Sequence, residues 1–269
     1  MDLTDYTSSL RKLAPITINI STEQCLHLDE TPVEIPSLEF DKVQIVIARF
    51  REPLKWLENY PFNKCSAIVY NKGGNDEFCR SSNIIREVKL PNCGLDVHSF
   101  LYHIIHNYDN LAEITAFFQG SVDLPHKYNR AAETIVESVR RNTTILACNQ
   151  IINMKEELYD FSVVQYQMAH PSICPTERNV FTVPCKIRPF GKWYEALFGD
   201  IKTTHFVYNH IIAIKREHIL RKPKEYYEVL MSFVDNIEEG RQPEVVHYFE
   251  RAWEAIFYPL DDNINYIFT

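Results

Sequence analysis

In the stretch ITAFFQGSVDLPH, residues 114–126, a run of strand-forming apolar residues ends in side chains that can bind, polarise or coordinate. Gln119, Asp123 and His126 follow Phe117 and Phe118 closely. Gln119 and Asp123 carry the hard oxygen atoms that Mg²⁺ or Mn²⁺ prefers, and a site built on them leaves positions for phosphate oxygens and water. An Asp after a strand more often serves as a turn or N-cap residue. One carboxylate also makes a weaker metal site than two. The stretch is therefore either a strand delivering polar groups into a site or a strand that has reached water.

FERAWEAIF, residues 249–257, offers proton-transfer chemistry. Glu250 and Glu254 lie one turn apart, a spacing that usually marks a solvated helix face. Glu250 also sits beside Phe249 and near Trp253, where partial desolvation would raise its pKa, as a general base requires. The histidines at 98, 103, 106, 126 and 210 invite a zinc reading. His103 and His106 share a helical face, but His98 precedes them by five residues and there is no HExxH, so the spacing predicts surface or core-edge histidines. Seven cysteines at 25, 65, 79, 93, 148, 174 and 185 form no CxxC pair, which reads as reduced thiols in a cytosolic protein. Cys93 and Cys148 carry no nucleophile signature, and small buried hydrophobes are the expected role for both.

These residues need a scaffold. A chain of 269 residues with 45% hydrophobic and 13% aromatic content is ample for a packed core. A net charge of −8 gives no field attracting nucleic acid or anionic lipid. The start, MDLTDYTSSLRKLAPITINI, is polar and mixed, unlike a secretory signal, and no run of about 18 apolar residues suggests a membrane span. A cytoplasmic protein follows, with peripheral membrane docking left open.

Residues 1–40 read as an irregular lead-in with a short strand at ITINI, and residues 41–269 as a single domain. VQIVIARF (43–50) and SAIVYN (66–71) have the continuous apolar character of strands buried on both faces. A helix is expected between them, with Pro53 in its first turn and Leu54, Trp56 and Leu57 inward. VKL (88–90) reads as a short strand and DVHSFLYHIIHNY as a helix with Val97, Leu101, Ile104 and Ile105 on one face. ITAFFQG is the next strand. Further on, TIVESVRR, GKWYEALFG, KEYYEVLMSFVDNI and PEVVHYFERAWEAIFY read as helices, VFTVPCKIRPF as extended, and HFVYNHIIAIKREHI as a strand passing into a turn and helix. This alternation predicts a doubly wound α/β sheet, which binds ligands beyond the carboxyl ends of its strands. Gln119, Gly120 and Asp123 lie at such an end.

The ordered series IVIARFREPLKWL, IVYNKG, LPNCGLDVHSFLYHIIHNYDNLAEITAFFQG, NHIIAIKREHILRKPKEYYEVL and FERAWEAIF resembles the family known as domain of unknown function 3431. That family's pattern runs approximately VVARYNEDLSWL, YNKG, LPNVGREAHTYLYHI, NYDNLPDYTVFLQG and ERLW. The resemblance covers roughly residues 43 to 258. The family is regarded as similar to the GT-A fold of nucleotide-sugar-dependent glycosyltransferases, a doubly wound mixed sheet with a helical C-terminal part.

The resemblance implies roles. Ala48, Arg49 and Glu52 would lie near the base and ribose of a nucleotide-diphosphate sugar donor, with Asn71 and Lys72 ending the second strand. Gly94, Asp96 and Ser99 would approach the donor, although Leu95–Asp96 stands where the family usually has Arg-Glu. Gln119-Gly120-Ser121 occupies the usual Asp-x-Asp position, leaving Asp123 as the candidate ligand for Mn²⁺ or Mg²⁺. Asn209 and His210 would face a glycan or other hydroxyl acceptor, and Glu250 would be the base of an inverting transfer, with Asp96 and His210 next in line. A non-catalytic nucleotide-sugar or glycan binder, a nucleotide-sugar hydrolase or phosphotransferase, and a purely structural partner protein are the other readings of the same pattern.

Overall fold

In chain order the computed structural model contains β1 (Val43–Arg49), β2 (Ser66–Asn71), β3 (Ile84–Lys89), α1 (Leu95–His106), β4 (Ile114–Gln119), α2 (Pro125–Arg141), β5 (Ile145–Gln150), α3 (Met154–Glu157), β6 (Gln165–Gln167), β7 (Asn179–Val183), α4 (Phe190–Phe198), β8 (His205–Phe206), β9 (Ile212–Lys215), α5 (Arg216–Leu220), α6 (Lys224–Met231), β10 (Gln242–Pro243), α7 (Glu244–Ile256) and β11 (Asn265–Phe268). The structure describes residues 38–150, 153–167, 179–239, 241–260 and 265–268. The ITINI strand and the lead-in as far as residue 37 lie outside them, as do Cys25 and Cys174.

The main sheet runs β11-β5-β9-β4-β1-β2-β3, with β8 pairing β5 off this path. Its pairings are parallel between β1 and β2, β1 and β4, β2 and β3, and β5 and β11. β9 is inserted antiparallel between β4 and β5. A small second sheet runs β10-β7-β6. The fold is mixed α/β, and no described helix is long and apolar enough to cross a membrane.

β1 shows why its sequence is apolar throughout. Ile45 and Ile47 pack with Trp56, Phe62, Phe118 and Ile135 on one face, while Val46 and Ala48 pack with Val97, Leu101, Phe249 and Trp253 on the other. Alternate residues therefore enter different cores, one covered by α2 and the other by α1 and α7.

Three expectations need correction. The helix after β1 is a single 3₁₀ turn, Lys55–Glu58, preceded by Leu54 at φ 56°. Leu54, Trp56 and Leu57 are buried as expected, but Leu54 stands in the left-handed region and separates Pro53 from the turn, and a second 3₁₀ turn, Phe62–Lys64, leads on to β2. The third strand begins at Ile84 rather than Val88. As a half-exposed edge strand it carries Arg86 and Glu87, so apolar patterning understates its length. HFVYNHIIAIK is not one strand: a turn over Tyr208–His210 separates β8 from β9.

Candidate active site

The chain winds from β1 through β2 to β3 on one side, then returns to place β4 on the other side of β1. Strand order reverses between β1 and β4, the place where open α/β sheets form a ligand crevice outside the carboxyl ends of their strands. Register brings Ala48 level with Gln119 and Tyr70, and Arg49 level with Asn71. Beyond β4, Gly120 approaches Glu52 so closely that a Cβ there would lie 2.7 Å from Glu52 Oε2. The Glu52 carboxylate in turn accepts from the amides of Phe50 (2.7 Å) and Arg51 (3.0 Å), fixing the turn after β1.

A polar chain crosses the mouth of the crevice. Asp96, in the first turn of α1 and 7% exposed, accepts at Oδ2 from Gln119 Nε2 at 2.5 Å. Gln119 Oε1 accepts from Lys127 Nζ at 2.5 Å, and Lys127 also donates to Ser121 Oγ at 2.8 Å. Burial lowers the Lys127 pKa, against the attraction of Asp96, Glu52, Glu250 and Asp123. Four carboxylates thus surround one buried ammonium. Lys127 was not among the residues singled out from sequence, although a basic residue in the first turn after strand and proline was a usable signal.

His210 meets this chain from the opposite side. It lies at φ 51° after Asn209 at φ 62°, a pair of left-handed residues without glycine, of the kind that gathers at functional sites. The imidazole is 1% exposed. Its Nδ1 accepts from Trp253 Nε1 at 2.8 Å, which assigns the ring proton to Nε2. Nε2 faces Asp96 Oδ2 at 3.8 Å and Glu250 Oε1 at 3.7 Å.

Glu250, on α7 with a side chain 16% exposed, accepts from the Asn209 amide at 3.2 Å and from Arg251 Nη1 at 3.3 Å. His247 Nδ1 lies 3.7 Å from Oε2, the oxygen that Arg251 also reaches. Burial pushes its pKa up, as the sequence suggested, but the attraction of His247, His210 and Arg251 outweighs burial and holds the carboxyl down to about 2. The expected upward shift is therefore reversed: the apolar neighbours are visible in the sequence, whereas His210 is brought to the carboxyl only by the fold. Glu254 is not on a solvated face either, because it accepts from the amides of Thr204 (2.9 Å) and His205 (2.8 Å).

Other residues named from the resemblance have structural duties. Arg49 is 1% exposed and donates to Asn71 Oδ1 (2.7 Å), the Asn75 carbonyl (2.8 Å), Asn75 Oδ1 (2.8 Å) and the Glu52 carbonyl (2.9 Å). It builds the loop after β2 and is not an exposed ion pair with Glu52. Asn71 extends this network to Glu87 Oε1 at 3.1 Å. Lys72 donates at 2.5 Å to the carbonyls of Cys93 and Leu95, and burial lowers its pKa to about 8. It anchors the start of α1. Gly94 (φ 57°) faces Val234, where a Cβ would approach to 2.6 Å. Ser99 is fully buried on α1 and its Oγ has no hydrogen-bond partner.

Gln119, Gly120, Asp96, His210 and Glu250 are brought together, whereas Arg49, Ala48, Gly94 and Ser99 are committed to packing or to loops. Asp123 is exposed at the rim. Among the described residues the one group of three His, Cys, Asp or Glu side chains spaced to share an ion is Cys93, His98 and Asp235, which does not include Asp123. His103 is a core residue bonded to Tyr70, and His106 and His126 are exposed. The Cys148 thiol is buried, and burial pushes its pKa up to about 12, as suits an inert core cysteine.

A family model described as "Protein of unknown function (DUF3431)" matches residues 45–264. The chain belongs to this family. A search of curated proteins gives no match. The DUF3431 match begins within β1 and runs past α7, so every element that lines the crevice falls inside it. Its YNKG, FFQG and ERAW segments supply Asn71 and Lys72, Gln119 and Gly120, and Glu250.

Proposed function

We propose that the chain is a glycosyltransferase of GT-A-like fold that moves a sugar from a nucleotide-diphosphate donor to a hydroxyl of a glycan or other acceptor. The reading is carried by the meeting of Asp96, His210 and Glu250 with Gln119 and Gly120 at the crevice where strand order reverses. In the proposed step the acceptor oxygen attacks the anomeric carbon, the bond from that carbon to the diphosphate breaks, and the nucleoside diphosphate leaves from the opposite face. The acceptor proton passes to Glu250, giving inversion.

A carboxyl held near 2 is a weak base, so the proton moves late, when bond formation has made the acceptor hydroxyl strongly acidic. His210 Nε2–H sits between Asp96 and Glu250 and holds both carboxylates in place for that transfer. The donor set does not fit a resident Mn²⁺ or Mg²⁺: Asp123 is a single rim carboxylate, and the amide oxygen of Gln119 already accepts from Lys127. The positive charge facing the leaving diphosphate in this scheme is Lys127.

Thermal-shift screening of nucleotide-diphosphate sugars, with and without Mn²⁺, tests the reading. A true donor at a hundredfold excess over its Kd should stabilise the native state by about 2.7 kcal/mol. No stabilisation by any nucleotide sugar would remove the proposal. The low basicity of Glu250 favours a second reading, a binder of nucleotide sugar or glycan without turnover, which predicts donor binding and no transfer to any acceptor.

A further inference from the structure

We propose that Cys93, His98 and Asp235 form a zinc site that clamps the start of α1 to the segment following α6. Cys93 immediately precedes the left-handed Gly94 that caps α1, and His98 lies one turn into the helix. Asp235 follows Val234, the residue packed against Gly94. One ligand atom from each of the three side chains lies within 4.8 Å of the others.

The geometry fits a metal better than a hydrogen bond. His98 Nε2 stands 3.4 Å from Asp235 Oδ1, long for a hydrogen bond between nitrogen and a carboxylate. Nitrogen and oxygen ligands held tetrahedrally at about 2.0–2.1 Å from zinc are themselves about 3.3–3.4 Å apart. His98 is 3% exposed and its Nδ1 has no hydrogen-bond partner, leaving the ring without strong tethers unless Nε2 is ligated. A sulfur, an imidazole and a carboxylate are the donor set of zinc rather than of Mg²⁺ or Ca²⁺.

The surroundings leave room for exchange. His98 and Asp235 border a groove of about 470 Å³ that Tyr102, His106, Glu228 and Met231 also line, and the Asp235 side chain is 56% exposed. A fourth position can therefore be filled by water. Binding releases the Cys93 thiol proton to solvent, and thiolate plus carboxylate neutralise the dication. Lys72 lies close by but directs its ammonium at the carbonyls of Cys93 and Leu95. The site shares no ligand with the crevice and does not depend on the glycosyltransferase reading. Asp96 sits between Cys93 and His98 in sequence, so the clamp would also hold the turn that presents it.

The full chain, stripped with a chelator and titrated with Co²⁺, should develop a thiolate-to-cobalt charge-transfer band in the near ultraviolet. Elemental analysis after zinc loading and desalting should give one zinc per chain. The band should vanish in Cys93→Ser and persist in Cys79→Ser. Asp235→Ala alters an exposed residue, so it should fold normally while its zinc affinity falls by more than the roughly 100-fold that loss of an outer-shell partner costs. The proposal is overturned if the wild-type chain shows no band, if the band survives Cys93→Ser, or if Asp235→Ala binds zinc as tightly as wild type. Should Cys93→Ser fail to fold, the Asp235→Ala affinity decides alone.

Discussion

Replacing Glu250 by Gln keeps the shape of the side chain and removes its charge, which separates two things the structure joins. The carboxyl is held at about 2 in place of its ordinary 4.5, a difference corresponding to about 3 kcal/mol of native-state stability at neutral pH. The side chain is only 16% exposed, so solvent screening removes little of this. Because the folded pKa is depressed, the stabilisation is present above the unfolded value near 4.5 and is lost as pH falls from there through about 2. Urea denaturation of wild type and Glu250→Gln should therefore differ most at neutral pH, with the gap closing below 4.5. A gap that stays constant with pH would refute the ionic account of how His247, His210 and Arg251 hold Glu250. Assayed as an enzyme, the variant should transfer sugar about 10² to 10⁴ times more slowly with donor affinity nearly unchanged, the usual worth of a positioned base. Near-normal turnover would move the base to Asp96 or His210.

Other substitutions probe the remaining parts. Lys127→Met should weaken donor binding about 10- to 100-fold by calorimetry, the worth of a charge-assisted hydrogen bond, and an unchanged Kd would take Lys127 out of the diphosphate site. Asp123→Ala should leave the melting temperature unchanged because the residue is exposed, and added Mn²⁺ should alter donor affinity in neither protein; a gain with Mn²⁺ in wild type that the substitution abolishes would restore Asp123 as a metal ligand. Gly73→Ala should cost about 3 kcal/mol or more, at the upper end of overpacking, because a Cβ there would lie 1.4 Å from the Phe50 carbonyl oxygen, a backbone atom that cannot rotate away. A normal denaturation midpoint in that variant would show that the loop after β2 rearranges freely.

What could be read from the sequence follows burial symmetry. β1, β2 and β4 are buried on both faces, so their residues are apolar without interruption and their ends stand out where Arg49, Asn71 and Gln119 begin. α1 and α7 are similarly plain because each has one broad apolar face. An edge strand tolerates charge, so the apolar pattern marks only the end of β3, and inward Leu54, Trp56 and Leu57 satisfy a helix and a 3₁₀ turn alike. Glu250 is legible as a candidate from its apolar neighbours, whereas Asp96 and the site role of His210 come only from the resemblance. Their mutual distances depend on three separate elements, and no local pattern encodes them. The direction of the Glu250 shift was lost for the same reason: Arg251 and His247 are near in sequence, but His210 arrives from a turn forty residues away.

That turn explains how the site is maintained. A residue such as His210 in the left-handed region costs about 1 kcal/mol or more, and a second beside it adds to the cost even though Asn tolerates it best. The conformation persists because contacts available only there offset it. The Asn209 amide donates to Glu250, and His210 accepts from Trp253 while its other nitrogen faces Asp96 and Glu250. Val207, just before the turn, donates its amide to the Glu250 carbonyl at 2.8 Å. Straightening Tyr208–His210 into a continuous strand would break the contacts of Asn209 and His210 and take the Nε2–H of His210 away from the two buried carboxylates. The interruption between β8 and β9 is thus the structural condition for a histidine and two carboxylates to meet at the crevice.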